Sequence, residues 1–341
     1  MSANLFGERF YGLRTPAWHN MGIVSSREET AKEVFQRFNN YHIEKRVKSI
    51  FLNGEHTEID EFALVRSPVP DDNMERVFGS CTSQYNILQP LDIVEIYDAN
   101  VKQPVETLGM LGKGEKLFIT WTLPEIKVIE DIVKTYGFVA VGYDAKFGAT
   151  LSLITTRVVC ENTWNMAIRE SESESAKASG RGKVWTGRHN SSNLARDLGI
   201  WLEHVNDRAM GTLTGLQEQF VQMARAPMKD TDELVNLLFK IYPDPKPMPE
   251  DYPAKLKDEK MAKIEGEKLS ASNDRVNVVE LFMGAGTAID ATAWGLFNSV
   301  TEYENWGRTT RRSPDNSILL GDRSRQMDMA YAVISNHIAN K

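Results

Sequence analysis

The spacing of the apolar residues changes part-way along the chain, and this change limits what the chain can fold into. Up to about residue 159, short runs alternate apolar and polar residues, which is typical of half-buried β-strands. From Leu194 to Met223, apolar residues recur at steps of three or four, which predicts a long amphipathic helix. We therefore expect an α+β fold, with a central, mostly antiparallel sheet from the N-terminal half packed with helices mainly from the C-terminal half.

Two glycine-containing turns predict that neighbouring strands pair as hairpins. Asn53-Gly54 divides an alternating region between His42 and Arg66, and this dipeptide suits a type I′ turn. A second hairpin is predicted around residues 112–114, where Gly, Lys and Gly separate two runs rich in strand-forming residues. Further strand candidates are residues 136–142 and 149–159. Hairpins join antiparallel neighbours, so the sheet should be mostly antiparallel.

Shorter helices are predicted before, within and after the sheet region. Ser26 and Glu29 have the spacing of a capping box, and the helix that follows carries an apolar face through about Asn39. The apolar residues of that face are Val34, Phe35 and Phe38. Another helix is expected after Pro90, and a last amphipathic helix is expected at about 323–338.

The length of the chain allows one large domain or two. Its 341 residues exceed the usual domain size of about 100 to 200 residues. Two stretches rich in small, polar or proline residues predict long loops between the packed parts. The expected segments are a sheet-rich portion at 1–165, a mobile basic loop at 166–192, a long helical portion at 193–241, a proline-rich and charged linker at 242–272 and a C-terminal helical portion at 273–341.

Composition excludes several classes of protein. A hydrophobic fraction of 41% and a charged fraction of 26% are close to globular averages, which argues against a disordered or fibrous chain. No apolar run approaches the roughly 18 residues that a transmembrane helix needs, and the N-terminus lacks the pattern of a signal peptide. We therefore expect a cytoplasmic protein with no membrane partner. Cys81 and Cys160 are the two cysteines, and a disulfide is not expected in a reducing compartment.

A basic stretch with interleaved rings is the strongest functional feature. Residues 177–196 contain no acidic residue, while the net charge of the chain is −7, so any attraction for nucleic acid must be local. Cations neutralise phosphates and aromatic faces stack on unpaired bases, which favours single-stranded nucleic acid. The alternative is a solvated loop balanced by Glu170, Glu172 and Glu174. The predicted binding residues here are Lys177, Arg181, Lys183, Trp185, Arg188 and His189.

A second basic cluster lies near the C-terminus. Its predicted binding residues are Trp306, Arg308, Arg311 and Arg312, and Arg323 and Arg325 follow them. Arginine binds phosphate with two parallel hydrogen bonds, so two such clusters on one face would form a groove. The alternative is ordinary ion pairing with Glu302, Glu304, Asp315 and Asp322.

Motifs for catalysis are weak or fail. Glu280, Gly284 and Gly286 have the order of an S-adenosylmethionine site, in which an acidic residue ends a strand before a glycine turn, but the 55 residues after Gly286 read as helices. The run GMLGKGEK has Glu115 and Lys116 where a phosphate-binding loop requires Lys and then Ser or Thr. The cysteines and histidines, including His19, show no metal-ligand spacing, so neither a metal nor a cofactor is expected.

Several short runs, in order, carry a resemblance to a known family. They are Trp18-His19 with Gly22, then QYNILQP, TLGMLGKGEKLF, GYDAKFGATL, RVVCENT and SVTEYENWGR. Together they make the chain similar to a phage- and plasmid-like protein family of unknown function, although the segment after Tyr303 departs from the more basic run of many members. The resemblance implies an origin in a mobile genetic element, near genes for recombination and single-strand DNA handling. It implies no reaction.

These features lead to an expected function and two alternatives. The expectation is a noncatalytic DNA-metabolism protein of a phage or plasmid that binds single-stranded DNA and assembles into a homo-oligomer that promotes annealing or recombination. The first alternative is a protein-binding accessory factor, such as an inhibitor of a host defence or a partner of a recombination complex. The second alternative is an S-adenosylmethionine-dependent methyltransferase.

Overall fold

The computed structural model describes residues 4–16, 20–38, 40–145, 147–154, 182–250, 253, 257–286, 291–307 and 322–341. The chain forms two compact units. The first consists of residues 1–126, 132–172 and 176–214, and the second of 127–131, 173–175 and 215–341. The fold is α+β, as the change in apolar spacing predicted, with a large sheet from N-terminal strands and helices from the C-terminal part.

Ten strands are described. They are β1 (Leu5–Leu13), β2 (Ile23–Ser25), β3 (Ile43–Leu52), β4 (Glu55–Arg66), β5 (Arg76–Cys81), β6 (Val105–Leu111), β7 (Lys116–Val128), β8 (Asp131–Gly142), β9 (Ala149–Ile154) and β10 (Gly182–Gly187). Seven of them form one sheet in the order β10-β9-β8-β7-β6-β1-β2. Within it β1 and β2 pair parallel, whereas β1–β6, β6–β7, β8–β9 and β9–β10 pair antiparallel.

A separate three-stranded sheet has the order β3-β4-β5. Asn53 and Gly54 join β3 to β4 with φ values of 51° and 89°, which confirms the predicted turn with positive φ at both central residues. Strand β5 pairs only with residues 62–66 of β4, so the rest of the hairpin is a two-stranded ribbon. We call residues 46–61, which include this ribbon, the hairpin arm.

Two short helices are described in the first unit, α1 (Ala31–Arg37) and α2 (Pro90–Asn100). The predicted capping box at Ser26 and Glu29 is wrong, because the box forms at Thr30 and Glu33. Thr30 Oγ1 accepts a hydrogen bond from the Glu33 amide at 3.2 Å, and a Glu33 carboxylate oxygen accepts one from the Thr30 amide at 2.9 Å. Glu29 is instead buried in an ion pair with Arg37, so its carboxylate is not free to cap the helix.

The long helix α3 (Leu194–Arg225) has 32 residues and contributes residues 194–214 to the first unit. Gly199 and Gly211 do not interrupt it. Asn206 on α3 accepts a hydrogen bond from the indole of Trp121 at 3.4 Å, and Trp121 is fully buried. Gly137 of β8 leaves the room that this indole fills, because a Cβ there would lie 2.1 Å from two of its ring atoms.

Apart from residues 127–131, the described part of the second unit is helical. After residues 215–225 of α3 it contains α4 (Thr231–Ile241), α5 (Lys257–Glu280), α6 (Ala293–Glu302) and α7 (Asp322–Ala339), with π-helical turns at Leu281–Ala285 and Tyr303–Gly307. The rings of Phe220 and Trp294 pack with centroids 4.7 Å apart, and the ring of Tyr331 packs edge-on against Phe220 with centroids 6.4 Å apart. Glu304 is buried and accepts a hydrogen bond from the Tyr242 hydroxyl at 2.8 Å.

Two predicted segment boundaries need correction. The basic loop expected at 166–192 contains β10, because residues 182–187 pair with β9. The linker expected at 242–272 ends earlier, since α5 begins at Lys257 and its charged residues lie on a helix. The predicted final helix is confirmed as α7. None of the helices in the described ranges combines the length and apolarity needed to cross a membrane.

Candidate nucleic-acid interface

Strand β10 and the turn after it carry the predicted binding residues that the structure describes in most detail. Trp185 lies opposite Leu151 in the β10–β9 pair and is half-buried. Its ring packs over Gly187, where a Cβ would lie 2.4 Å from the indole and 2.2 Å from a methyl group of Leu194. Gly187 therefore allows the tryptophan and the start of α3 to pack closely against the strand.

His189 anchors the turn after β10. It is 6% exposed, its Nδ1 lies 3.0 Å from the Asn86 carbonyl oxygen, and its Nε2 lies 3.0 Å from the Gly142 carbonyl oxygen. Its ring stacks on Tyr85 with centroids 4.4 Å apart and an interplanar angle of 14°. Carbonyl oxygens only accept hydrogen bonds, so a neutral imidazole donates to one of them and the imidazolium donates to both.

Two opposing influences act on the His189 proton. Burial lowers the pKa of His189, because the charged form loses water. The two carbonyl groups and the carboxylate of Asp144 favour the charged form and raise the pKa, but burial has the larger effect. The interior position also corrects the expectation that His189 contacts nucleic acid directly, since its edges are occupied and one face is stacked. We assign the ring a role in positioning the turn.

The same junction joins segments that are distant in sequence. The His189 carbonyl accepts a hydrogen bond from the Asn86 amide, so ring and backbone both hold the segment before α2. Tyr143, which follows β8, is fully buried and donates its hydroxyl hydrogen bond to the Leu88 carbonyl at 2.9 Å. The runs QYNILQP and GYDAKFGATL thus meet at the turn after β10. A turn held by so many buried hydrogen bonds presents its neighbouring residues in a defined orientation.

Arg188 is the exposed cation of this turn. Among the described residues, no carboxylate lies within ion-pair distance of its guanidinium. Arg196, from the same basic stretch, differs because its guanidinium lies 3.7 Å from Asp197. Lys183 lies in β10, whereas Lys177 and Arg181 fall outside the described residues. Among the predicted phosphate ligands of this stretch, Arg188 is therefore one that is exposed and has no described carboxylate partner.

Comparison with known families places the chain among proteins of unknown function. The model of a family described as a domain of unknown function, DUF932, matches residues 77–324, which is more than half of the chain. The chain belongs to the DUF932 family. No curated protein and no solved structure matches it. The matched range of this DUF932 protein includes β10 and His189, whereas β3 and β4 precede it.

The second basic cluster of the DUF932 protein is described only in part. Trp306 lies in the π-helical turn after α6, and Arg308, Arg311 and Arg312 lie outside the described residues. Convergence of the two basic stretches therefore stays a prediction. Glu304, one of the proposed balancing carboxylates, is buried and accepts a hydrogen bond from the Tyr242 hydroxyl.

The segment that suggested a methyltransferase site has a different local structure. Residues 257–280 form α5, so Glu280 ends a helix and not the strand that this interpretation requires. Gly284 follows in the π-helical turn with φ of 120°, a value that favours glycine. Gly286 packs closely, since a Cβ there would lie 2.8 Å from a carboxylate oxygen of Glu302. These glycines are explained by the tight turn and close packing at the end of α5.

The other candidates for chemistry give no site in the described residues. Cys81 is a free, buried thiol, and burial raises its pKa, which makes it a poor nucleophile. His19 and Cys160 lie outside the described part of the chain. Where the structure describes the chain, no group of three or more His, Cys, Asp or Glu side chains is placed to hold a metal ion.

Proposed function

We propose that this DUF932 protein is a noncatalytic DNA-metabolism protein of a mobile genetic element, acting in the host cytoplasm, and that it binds single-stranded DNA through β10 and the turn after it. The observation that carries the proposal is Arg188, an exposed cation without a described carboxylate partner, next to a turn fixed by His189. Because the backbone beneath Arg188 is already ordered, binding a phosphate there costs conformational entropy mainly in the side chain.

The neighbouring residues extend this surface. Trp185 is half-buried, so part of its indole is available to a base, and stacking on a ring contributes about 1 to 3 kcal/mol per base. Lys177, Arg181 and Lys183, with Arg308, Arg311, Arg312 and Trp306 of the second cluster, are the further residues proposed for this function. Their local charge has to outweigh the net charge of −7, so binding should weaken steeply as salt rises.

A protein-binding accessory role is the second candidate, and the hairpin arm favours it. Residues 49–61 contain Glu55, Glu58, Asp60 and Glu61 and no lysine or arginine. Phe51 and Leu52 near the tip are 65% and 53% exposed. An acidic and apolar projection repels phosphates and suits a protein partner, such as a component of a recombination complex or of a host defence.

Fluorescence anisotropy with labelled single-stranded oligonucleotides at low and moderate salt tests the leading proposal. We expect binding at low salt, and Arg188→Glu should weaken it and reduce the slope of log affinity against log salt by about 1. Arg14→Glu is the matched control, because Arg14 is exposed, is paired with Glu28 at 2.8 Å and gives the same change in net charge. An affinity that is absent at low salt, or that both variants reduce equally, contradicts the proposed site. Recovery of a stoichiometric protein after nuclease treatment of a host lysate supports the second candidate.

A further inference from the structure

The outer edge of β3 is an unpaired strand edge. β3 is the first strand of the β3-β4-β5 order, and no other described strand pairs with its outer side. At its start, the Ile43 amide donates to the Gln89 side-chain oxygen at 3.0 Å, and the Ile43 carbonyl accepts from the Gln89 amide nitrogen at 2.9 Å. Ile43 therefore directs both backbone groups outward. The β3–β4 register shifts between Val47 and Ser49, so the two sides are assigned separately. Counting from Ile43, residues 45 and 47 direct their backbone groups outward. On the turn side, Leu52 pairs with Glu55 across the two-residue turn, so residues 49 and 51 direct theirs outward.

The part of this edge that is open to a partner is short. Gln89 occupies the edge at Ile43, and the Lys45 ammonium crosses to the Ser83 carbonyl at 2.8 Å. Residues 46–52 are left open, and their backbone groups need hydrogen-bond partners from water or from another chain. Four apolar residues in this range are exposed: Val47 at 49%, Ile50 at 42%, Phe51 at 65% and Leu52 at 53%.

We propose that the open edge of β3 binds the β3 edge of a second copy of this chain, in an antiparallel pair with a two-fold axis at Ser49. The midpoint of residues 46–52 is Ser49, so a pair centred there uses the whole open edge of both copies. Both Ser49 residues direct their backbone groups outward and exchange two hydrogen bonds. The joined hairpins form one continuous four-stranded ribbon, which removes the exposed edge from both copies.

The side chains favour this register over the two registers nearer the start of β3. With the axis at Ser49, Val47 of each copy lies opposite Phe51 of the other, which gives two such pairs per dimer. Lys48 of each copy lies opposite Ile50 of the other. An axis at Lys48 would place the two lysines directly opposite each other, which is unfavourable. An axis at Val47 would place Arg46 opposite Lys48 and would also need the position that Gln89 occupies. The Ser49 register avoids both penalties.

Charge complementarity favours a second copy as the occupant. The base of the arm carries Lys45, Arg46 and Lys48, but Arg46 already pairs with Glu44 and Glu75, and Lys48 pairs with Glu61. Lys45 has no carboxylate partner among the described residues, and Glu55, Glu58 and Asp60 of the tip and the returning strand have no described cationic partner. An antiparallel two-fold pair places the cationic base of each copy beside the anionic tip of the other. This inference uses β3 and not β10, so it stands independently of the proposed DNA binding.

Cysteine crosslinking of the full-length chain tests the register. Ser49→Cys places two thiols at the axis with Cα atoms about 5.5 Å apart, within the disulfide range of about 4.4 to 6.8 Å. Thr57→Cys is the matched control, because Thr57 is exposed on β4 of the same arm and is not at the axis. Both variants carry Cys160→Ser, and Cys81 is buried. We expect a disulfide-linked dimer on mild oxidation for Ser49→Cys alone. Equal crosslinking of both variants, or none in either, overturns the register.

Light scattering coupled to size-exclusion chromatography tests the association itself. We expect a dimer, and Val47→Asp should weaken association by about tenfold, because each dimer contains two Val47–Phe51 pairs. Val47 is exposed, so the variant should keep the wild-type circular dichroism spectrum, which checks that it is folded. A monomer at every concentration for the wild type, or a dimer that Val47→Asp leaves unchanged, overturns the proposal. The anisotropy measurement with Arg188→Glu is unaffected by either result.

Discussion

Replacing Gly137 by alanine tests how the large sheet accommodates its most bulky core side chain. Gly137 lies opposite Leu153 in the β8–β9 pair. A Cβ at residue 137 would lie 2.1 Å from Cε2 and Cζ2 of Trp121, which is far inside van der Waals contact. The indole cannot move away easily, because it is fully buried, packs on Tyr97 at 5.5 Å and is hydrogen-bonded to Asn206. One methyl group must therefore displace several packed side chains.

The expected loss in the free energy of unfolding is about 1 to 3 kcal/mol, the usual cost of overpacking a well-packed core. Gly211→Ala on α3 is the matched control, since no atom lies within 4 Å of the position of its Cβ. The same substitution should stabilise the protein there by up to about 1 kcal/mol, because alanine favours helix more than glycine does. The same glycine-to-alanine substitution is thus expected to lower the free energy of unfolding at residue 137 and to raise it at residue 211.

Urea denaturation, monitored by circular dichroism, measures the free energy of unfolding of both variants. A further substitution tests whether Trp121 is the residue that the new Cβ contacts. Trp121→Phe removes the ring atoms that the new Cβ would meet, so Gly137→Ala should cost less in that background than in the wild type. If Gly137→Ala leaves stability unchanged, or if its cost is the same with phenylalanine at residue 121, the close packing of Trp121 on Gly137 is refuted.

Two further predictions concern buried polar groups. Hydrogen bonds from the buried Arg9 hold the pKa of Asp71 below its usual range. The pair therefore stabilises the fold fully above the unfolded-state pKa of about 3.9. This stabilisation is lost as the pH falls through the lowered folded-state pKa. Asp71→Asn should therefore flatten the acid side of a plot of melting temperature against pH, and an unchanged profile contradicts this. His189→Phe keeps a ring on Tyr85 but leaves the Asn86 and Gly142 carbonyls without their partner, which should cost about 1 to 3 kcal/mol in urea denaturation. Wild-type stability in that variant would show that the two contacts contribute nothing.

The change in apolar spacing was enough to predict the fold class, and the Asn53-Gly54 dipeptide was enough to predict the hairpin, because these two residue types readily adopt the positive φ values that the turn requires. The start of α1 was not predictable from the spacing of Ser26 and Glu29. Both pairs, Ser26 with Glu29 and Thr30 with Glu33, have the spacing of a capping box. Arg37 holds Glu29 in a buried ion pair, which leaves Glu33 to form the box. The position of the capping box thus depends on a contact between Arg37 and Glu29, which are eight residues apart in the chain.

The junction at His189 was harder to predict, since its partners are remote in the chain. The ring meets the Asn86 carbonyl across 103 residues and the Gly142 carbonyl across 47 residues. Nothing in the composition of the basic stretch indicates that one of its polar rings is buried. The six-residue strand β10 was also missed, because Gly182 and Gly187 at its ends made the segment read as a loop.

One signal in the sequence could still have separated the exposed from the buried residues of the basic stretch. From Thr186 to Asn190 the structure alternates: Gly187 and His189 are buried, whereas Thr186, Arg188 and Asn190 are exposed. This is the strand period of two, continued through the turn. Charge and aromatic content alone treat Arg188 and His189 as equivalent ligands, but adjacent residues of an extended backbone point to opposite sides. In the proposed function, Arg188 and its exposed polar neighbours would contact the DNA strand, whereas the buried His189 holds the turn that carries the arginine.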